Sequence, residues 1–222
     1  NLEGNERITA AVAVPDFERA SFCTMATSQG RIKRVALSEF ASVRPSGLIA
    51  ITLEEGDRLG WARLTSGNDH VLLVTAHGQA LRFEENQVRV MGRQAAGVTG
   101  ISLEDGDRVA SMEIVEPGGN LLVVTEKGYG KQTPLEEYPL RNRAGGGVMT
   151  INQKALKEIG QITSARVVQP ADDVALISAN GQTVRLKVIQ IPVTGRVSRG
   201  VRLIGVVEGD SVASIARLPT DQ

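Results

Sequence analysis

The sequence predicts an all-β, propeller-like repeat array. Three observations carry that prediction: glycine landmarks that recur at a fixed spacing, short apolar runs that each enter a glycine hairpin, and a composition rich in glycine and poor in aromatic residues. Glycine numbers 24 and aromatic residues make up 3% of the chain, which suits many short strands joined by tight turns. At 222 residues the chain is long enough to bury a sizeable core.

The first landmark sits in a hairpin: Ser28-Gln29-Gly30, Ala76-His77-Gly78, Glu126-Lys127-Gly128 and Ala179-Asn180-Gly181. The second opens a strand: Gly47-Leu48, Gly97-Val98, Gly147-Val148 and Gly200-Val201. Successive members lie roughly 50 residues apart, a period of propeller-like arrays. The third is an acidic turn, Leu53–Asp57, Leu103–Asp107 and Val207–Asp210. The third repeat replaces it with Gln153–Gly160, QKALKEIG, which reads as a short helical insertion.

The strands follow from the same alignment. Val71–Thr75, Leu121–Thr125 and Val174–Ser178 are apolar runs that end in a hydroxyl residue and enter the hairpin. After the turn, Ala80-Leu81-Arg82-Phe83 and Thr183-Val184-Arg185-Leu186 alternate with period two. A further strand follows each acidic turn, as in Arg108–Met112. Four strands per repeat, arranged around an axis, leave few open edges. The predicted units are one domain over 1–222, with the tail of a truncated blade at 1–14 and blades at 20–65, 70–115, 120–168 and 173–218. That is about four complete repeats plus a leading half-repeat, because Leu2–Ile8 lines up with Leu103–Val109.

Lys+Arg and Asp+Glu are both 25, so the formal net charge is zero and a uniformly basic nucleic-acid binder is excluded. Segregated charge is not. Basic residues recur on the strand after the hairpin (Lys33 and Arg34, Arg82, Lys131, Arg185 and Lys187). They recur again in the loop before the second glycine (Arg44, Arg93, Arg143, and Arg196 with Arg199). In a radial array, equivalent positions reach equivalent surfaces. The arginines then form a belt and the carboxylates a separate ring. Such a belt neutralises successive phosphates along a curved duplex without reading its sequence.

Other chemistry finds little footing. His70 and His77 are the only histidines and lack metal-ligand spacing. Cys23 is the only cysteine, which excludes an intrachain disulfide and fits a reducing cytoplasm. Gly145-Gly146-Gly147 lacks the Lys-Ser/Thr of a phosphate loop. No catalytic residue, metal site or cofactor is predicted, and no apolar run is long enough to span a membrane. A protein-interaction scaffold of the propeller type, working through its faces, is the alternative to a DNA-binding perimeter.

Three segments resemble the C-terminal domain of the DNA gyrase A subunit, with that of topoisomerase IV as the near alternative: Met91–Val98, Glu126–Leu135 and Gly195–Leu203. The resemblance covers nearly the whole chain. It implies a β-pinwheel, a propeller-like disc whose blades exchange strands, six blades in gyrase, wrapping double-stranded DNA on a basic outer perimeter. The partners it implies are the remainder of the topoisomerase A subunit, together with the ATPase B subunit, in an ATP-dependent holoenzyme that supercoils DNA. The location it implies is cytoplasmic and nucleoid-associated. Carried over by position, the DNA contacts are Lys33, Arg44, Arg82, Arg93, Lys131, Arg143, Arg185 and Arg196. The QRRGGKG box that gyrase carries in its first blade is not present. The nearest match is Arg141–Gly147, in the third complete repeat. Either the first blades are missing from this chain or it belongs to a relative without the box, and the half-repeat at 1–14 favours the first.

Overall fold

The computed structural model describes residues 7–14, 21–42 and 47–219. In chain order, the first repeat gives β1 (Phe22–Thr27), β2 (Arg31–Ala36) and β3 (Leu59–Thr65). The second gives β4 (His70–Thr75), β5 (Gln79–Glu84), β6 (Val98–Thr99) and β7 (Val109–Ile114). The third gives β8 (Asn120–Thr125), β9 (Tyr129–Pro134), β10 (Val148–Met149), α1 (Gln153–Ile159) and β11 (Ile162–Val168). The fourth gives β12 (Asp173–Ser178), β13 (Thr183–Lys187), β14 (Val201–Arg202) and β15 (Val212–Leu218). A 3-10 turn follows the second strand of every repeat, at Leu37–Phe40, Glu85–Gln87, Leu135–Glu137 and Val188–Gln190.

Among the described residues the strands form four antiparallel sheets, ordered β3-β1-β2-β6, β7-β4-β5-β10, β11-β8-β9-β14 and β15-β12-β13. The last strand of each four-stranded sheet comes from the following repeat. The long strands β3, β7, β11 and β15 lie side by side at the centre, and the short exchanged strands form the rim. The array is therefore a β-pinwheel. The insertion expected at Gln153–Gly160 is the helix α1, capped by the Asn152 side chain accepting from Lys154 N at 3.0 Å. Residues 7–14 form no strand; Ala10 and Val14 pack on the outer face of the first blade, and residues 1–6 lie outside the described residues.

The continuous apolar runs have a simple cause. Along β4, Val71 and Leu73 pack toward the first blade, while Leu72 and Val74 pack toward the third. Both faces of an inner blade are buried, so no polar alternation is possible. On β13 in the fourth blade, exposed residues alternate with half-buried ones. In three repeats the hydroxyl that ends the run ties the hairpin, while Thr125 in the third repeat donates to Ile159 O at 2.6 Å. Thr27, Thr75 and Ser178 accept from the backbone N–H four residues on, at 3.1–3.2 Å.

The exchange is built on glycine. Gly97, Gly147 and Gly200 have φ of 84°, 80° and 77°. A Cβ at Gly97 or Gly147 would meet the carbonyl oxygen of Ile32 or Ala80 at 2.5 Å, and one at Gly200 would strike that of Gly130. No other residue lets the incoming strand lie this close to its host. The pairing is completed by Gly100 N, Thr150 N and Leu203 N donating to the hairpin carbonyls of Gly30, Gly78 and Gly128 at 2.7–2.8 Å. Gly181, at the tip of the fourth hairpin, has φ of 87° but no described atom within 4 Å of its Cβ position.

Gly147→Ala meets both a left-handed backbone and a carbonyl, whereas Gly181→Ala meets only the backbone term. The expected loss in urea unfolding is about 3 kcal/mol or more for the first and roughly 1 kcal/mol for the second. Equal losses would show that the close approach contributes nothing.

Candidate nucleic-acid interface

Each rim loop leaves a 3-10 turn, crosses to the preceding blade and ends in the exchanged strand. Its path is fixed by the backbone. Met91 N, Arg141 N and Thr194 N donate to the carbonyls of Arg34, Arg82 and Gln132 at 2.8–2.9 Å. One shared geometry thus presents Arg93, Arg143 and Arg196, each docked on the turn of the preceding blade. Arg93 N donates to Glu39 Oε2 at 3.3 Å, and Arg196 N to Glu137 Oε2 at 3.1 Å. The guanidinium Nε atoms stand 3.9 and 4.0 Å from the same carboxylates. Gln87 takes the glutamate's place for Arg143: its Oε1 accepts from Arg143 N at 2.8 Å and its carbonyl from Nε at 3.0 Å. All three guanidinium groups remain partly open to solvent.

The other predicted contacts divide differently. Lys33 and Lys131 are fully buried, which removes them from any surface belt. Their ammonium groups hold the arginine loops from beneath. Lys33 Nζ donates to the carbonyls of Arg93 and, at 2.8 Å, Ala50. Lys131 Nζ donates to the carbonyls of Arg196 and, at 2.7 Å, Gly195, and to Thr133 Oγ1 at 3.2 Å. The basic residues after the hairpin belong to two registers. Lys33 and Lys131 share their position with Leu81 and Val184, one residue before the position of Arg34, Arg82, Gln132 and Arg185. A one-residue step along a strand exchanges inside for outside.

The latter position is a latch to the next blade. Arg34 NH1 lies 3.7 Å from Glu85 Oε2, Arg82 NH1 donates to Leu135 O at 3.0 Å, and Gln132 Nε2 donates to Val188 O and Ile191 O at 2.8 and 2.7 Å. Each latch residue also has a partner twelve positions earlier. Arg34 stacks on Phe22 at 4.6 Å, Arg82 bonds His70 Nδ1, Gln132 accepts from Asn120, and Arg185 pairs with Asp173. Arg82 therefore works as a half-buried tie. Arg185 is exposed but bound to Asp173 at 2.7 Å. Arg44 lies outside the described residues.

The expected ring of carboxylates is also redistributed. The last aspartate of each acidic turn is turned onto the neighbouring hairpin: Asp57 accepts from Gln29 N, Asp107 from His77 N and Asp210 from Asn180 N, at 2.9–3.1 Å. Burial opposes ionisation of Asp57, but hydrogen bonds from Thr27, Arg58 N, Gln29 N and Ser28 outweigh it and hold the carboxyl below its ordinary pKa. At the centre, Glu113 is flanked by Arg63 and Arg166 at 2.8 and 3.0 Å, a chain of ion pairs that ties three adjacent strands. Much of the chain's charge is thus structural.

Several rim cations fall outside the predicted set. Arg89 and Arg141 are exposed on the arginine loops, with no carboxylate partner among the described residues. Arg202 is exposed on β14, stacked at 5.3 Å on Tyr129, whose ring also lies 6.0 Å from Arg199. Arg199 and Arg202 sit in a segment that carries the resemblance, three and six residues after Arg196, and that spacing is the signal in the sequence that marks them.

Strand-exchanged blades around an axis, with backbone-fixed arginines on the rim, define a β-pinwheel of the kind found at the end of type IIA topoisomerase subunits. The family model "DNA gyrase C-terminal domain, beta-propeller" matches four times, over residues 23–66, 69–116, 119–169 and 172–219, and the chain belongs to that family. The DNA gyrase A subunit of Salmonella typhimurium is 42% identical over 217 residues, 98% of this chain and 24% of that protein. The Escherichia coli protein of the same name is 40% identical over 223 residues, 100% of this chain and 25% of that protein. The chain thus spans about a quarter of the length of these relatives. Among solved structures, a DNA gyrase A C-terminal domain superposes with a TM-score of 0.90 at 25% identity, covering 99% of this chain and 73% of that one. A topoisomerase IV C-terminal domain gives 0.89 at 29% identity, covering 97% and 67%.

Burial lowers the Lys131 pKa to about 8, against an unfolded value of about 10.4; Glu137 opposes the shift and Arg196 adds to it. Between those values the unfolded chain holds the extra proton, so stability rises as pH climbs from about 8 to about 10. Below the folded pKa both states are protonated and the contribution is flat. Lys131→Met, in the position Leu81 fills in the second repeat, should remove that rise in urea unfolding measured across pH; an unaltered rise would place its origin elsewhere.

Proposed function

We propose that this chain binds duplex DNA along its rim and bends it, as the C-terminal part of the A subunit of a bacterial type IIA topoisomerase. The observation that supports this most strongly is the recurrence of Arg93, Arg143 and Arg196 at one repeat position, each fixed by backbone contacts and each partly open to solvent. Arg89, Arg141, Arg199 and Arg202 extend the same surface. Family membership supports the reading, since the relatives are DNA gyrase A subunits.

The physical consequence follows from the layout. Cations at blade spacing on a curved edge neutralise phosphates on one side of a duplex, releasing counterions and favouring curvature toward the rim. Bending a site of 20–30 bp by 40–90° costs on the order of 1–6 kcal/mol, which several simultaneous phosphate contacts offset. Contacts to phosphates carry no sequence information, so on this reading affinity depends on charge and DNA flexibility rather than on sequence. In the cell this role would serve supercoiling by the ATP-dependent holoenzyme. Its partners there are the ATPase B subunit, with the remainder of the A subunit, in a nucleoid-associated, cytoplasmic setting.

The test is duplex binding by fluorescence anisotropy across a salt series, with a probe of about 40 bp. The combined variant Arg93→Gln, Arg143→Gln and Arg196→Gln should lower the log–log salt slope by about 2–3, close to 0.9 for each phosphate no longer neutralised. Lys33→Met with Lys131→Met removes the ammonium groups that hold the Arg93 and Arg196 loops and should lower the slope by less, through loosened arginines rather than lost rim charge. An unchanged slope in the folded arginine variant would remove the rim from the binding surface.

A further inference from the structure

The rim loops carry a second repeated feature that folding does not explain. Val90, Leu140 and Val193 occupy one repeat position, three residues before Arg93, Arg143 and Arg196, and are 47%, 47% and 55% exposed. Their backbones are held on both sides. Two residues earlier, Val88, Tyr138 and Ile191 are buried anchors. Each exposed aliphatic pairs in a parallel bridge with the host strand, Arg34↔Val90, Arg82↔Leu140 and Gln132↔Val193. The N–H of the next residue donates to that host residue's carbonyl. Single exposed aliphatics are ordinary on any protein. Three at one position, each rigidly mounted and each three residues before an arginine, form a patterned surface.

Resting on the reading of the rim as a duplex-binding surface, we propose that Val90, Leu140 and Val193 are apolar contacts to the DNA, pressed against the deoxyribose walls of a minor groove turned toward the rim. The flanking arginines supply the charge complementarity that draws a polyanion to these residues. The side chains are branched aliphatics. They lack the flat rings on which single-stranded bases stack, and against the groove walls, rather than between base steps, they leave the duplex free to curve toward the rim. Arginine contacts then set the salt dependence, while the aliphatic contacts add a salt-independent share of affinity and lower the cost of the bend.

The experiment compares the chain with its combined variant Val90→Ser, Leu140→Ser and Val193→Ser, surface changes checked by thermal melting. Duplex affinity is read by anisotropy across salt, and the bend by energy transfer between dyes at the ends of a probe of about 40 bp. The variant should bind on the order of tenfold more weakly at every salt concentration. Its salt slope should be unchanged and its end-to-end energy transfer reduced. Val90→Ile, Leu140→Ile and Val193→Ile together should restore affinity and bend. A serine variant that matches the parent in affinity and bend overturns this proposal alone. A parent chain that does not bind duplex even at low salt overturns it together with the reading beneath it. A fall in salt slope would show that the loops had moved, and would overturn the proposal by assigning the weaker binding to displaced arginines.

Discussion

The close backbone pairing between each exchanged strand and its host is the constraint on which the molecule rests. A two-residue strand contributes little on its own. Here it is anchored by a glycine that passes over the carbonyl of Ile32, Ala80 or Gly130, and by a hydrogen bond to the hairpin carbonyl of the same blade. The exchange fixes where the rim loop must run and so where its arginine emerges. It also explains why the hairpin glycine and the strand-opening glycine recur together: they are the two sides of one contact between neighbouring blades.

A neutral chain supports a basic rim by placing its carboxylates elsewhere. Glu113 closes the central chain of ion pairs with Arg63 and Arg166. Asp57, Asp107 and Asp210 bind hairpin N–H groups. Asp172 and Glu116 hold Arg217 at 2.6 and 2.7 Å. On the rim itself, Glu39 and Glu137 accept from the backbone of the arginine loop, which orients the guanidinium while leaving part of it in solvent. Beneath two of the loops a buried ammonium gathers their carbonyls, so positive charge serves both as scaffold and as surface.

The fold is largely legible in the sequence because each landmark is a local requirement: a hairpin glycine, a hydroxyl that ties the turn, a strand buried on both faces. The helix at Gln153–Ile159 is visible for the same reason. The site is legible only in part. Arg93, Arg143 and Arg196 stand out because the glycine that follows fixes their register. Lys33, Arg82, Lys131 and Arg185 look equivalent as charges after a hairpin, but they fall at two adjacent strand positions that face opposite ways. Which of these meets solvent depends on the neighbouring blade, and that is long-range information. The latch pairs, Phe22 with Arg34, His70 with Arg82, Asn120 with Gln132 and Asp173 with Arg185, are chemically so varied that only the sheet register reveals them as one position.

Rim binding is tested most directly by amide hydrogen exchange with and without a duplex of about 40 bp. Protection should appear in the loops 89–99, 139–149 and 192–202, with the central strands β3, β7, β11 and β15 unaltered. Protection centred on those inner strands or on the hairpin tips, with the rim loops unaltered, would contradict it.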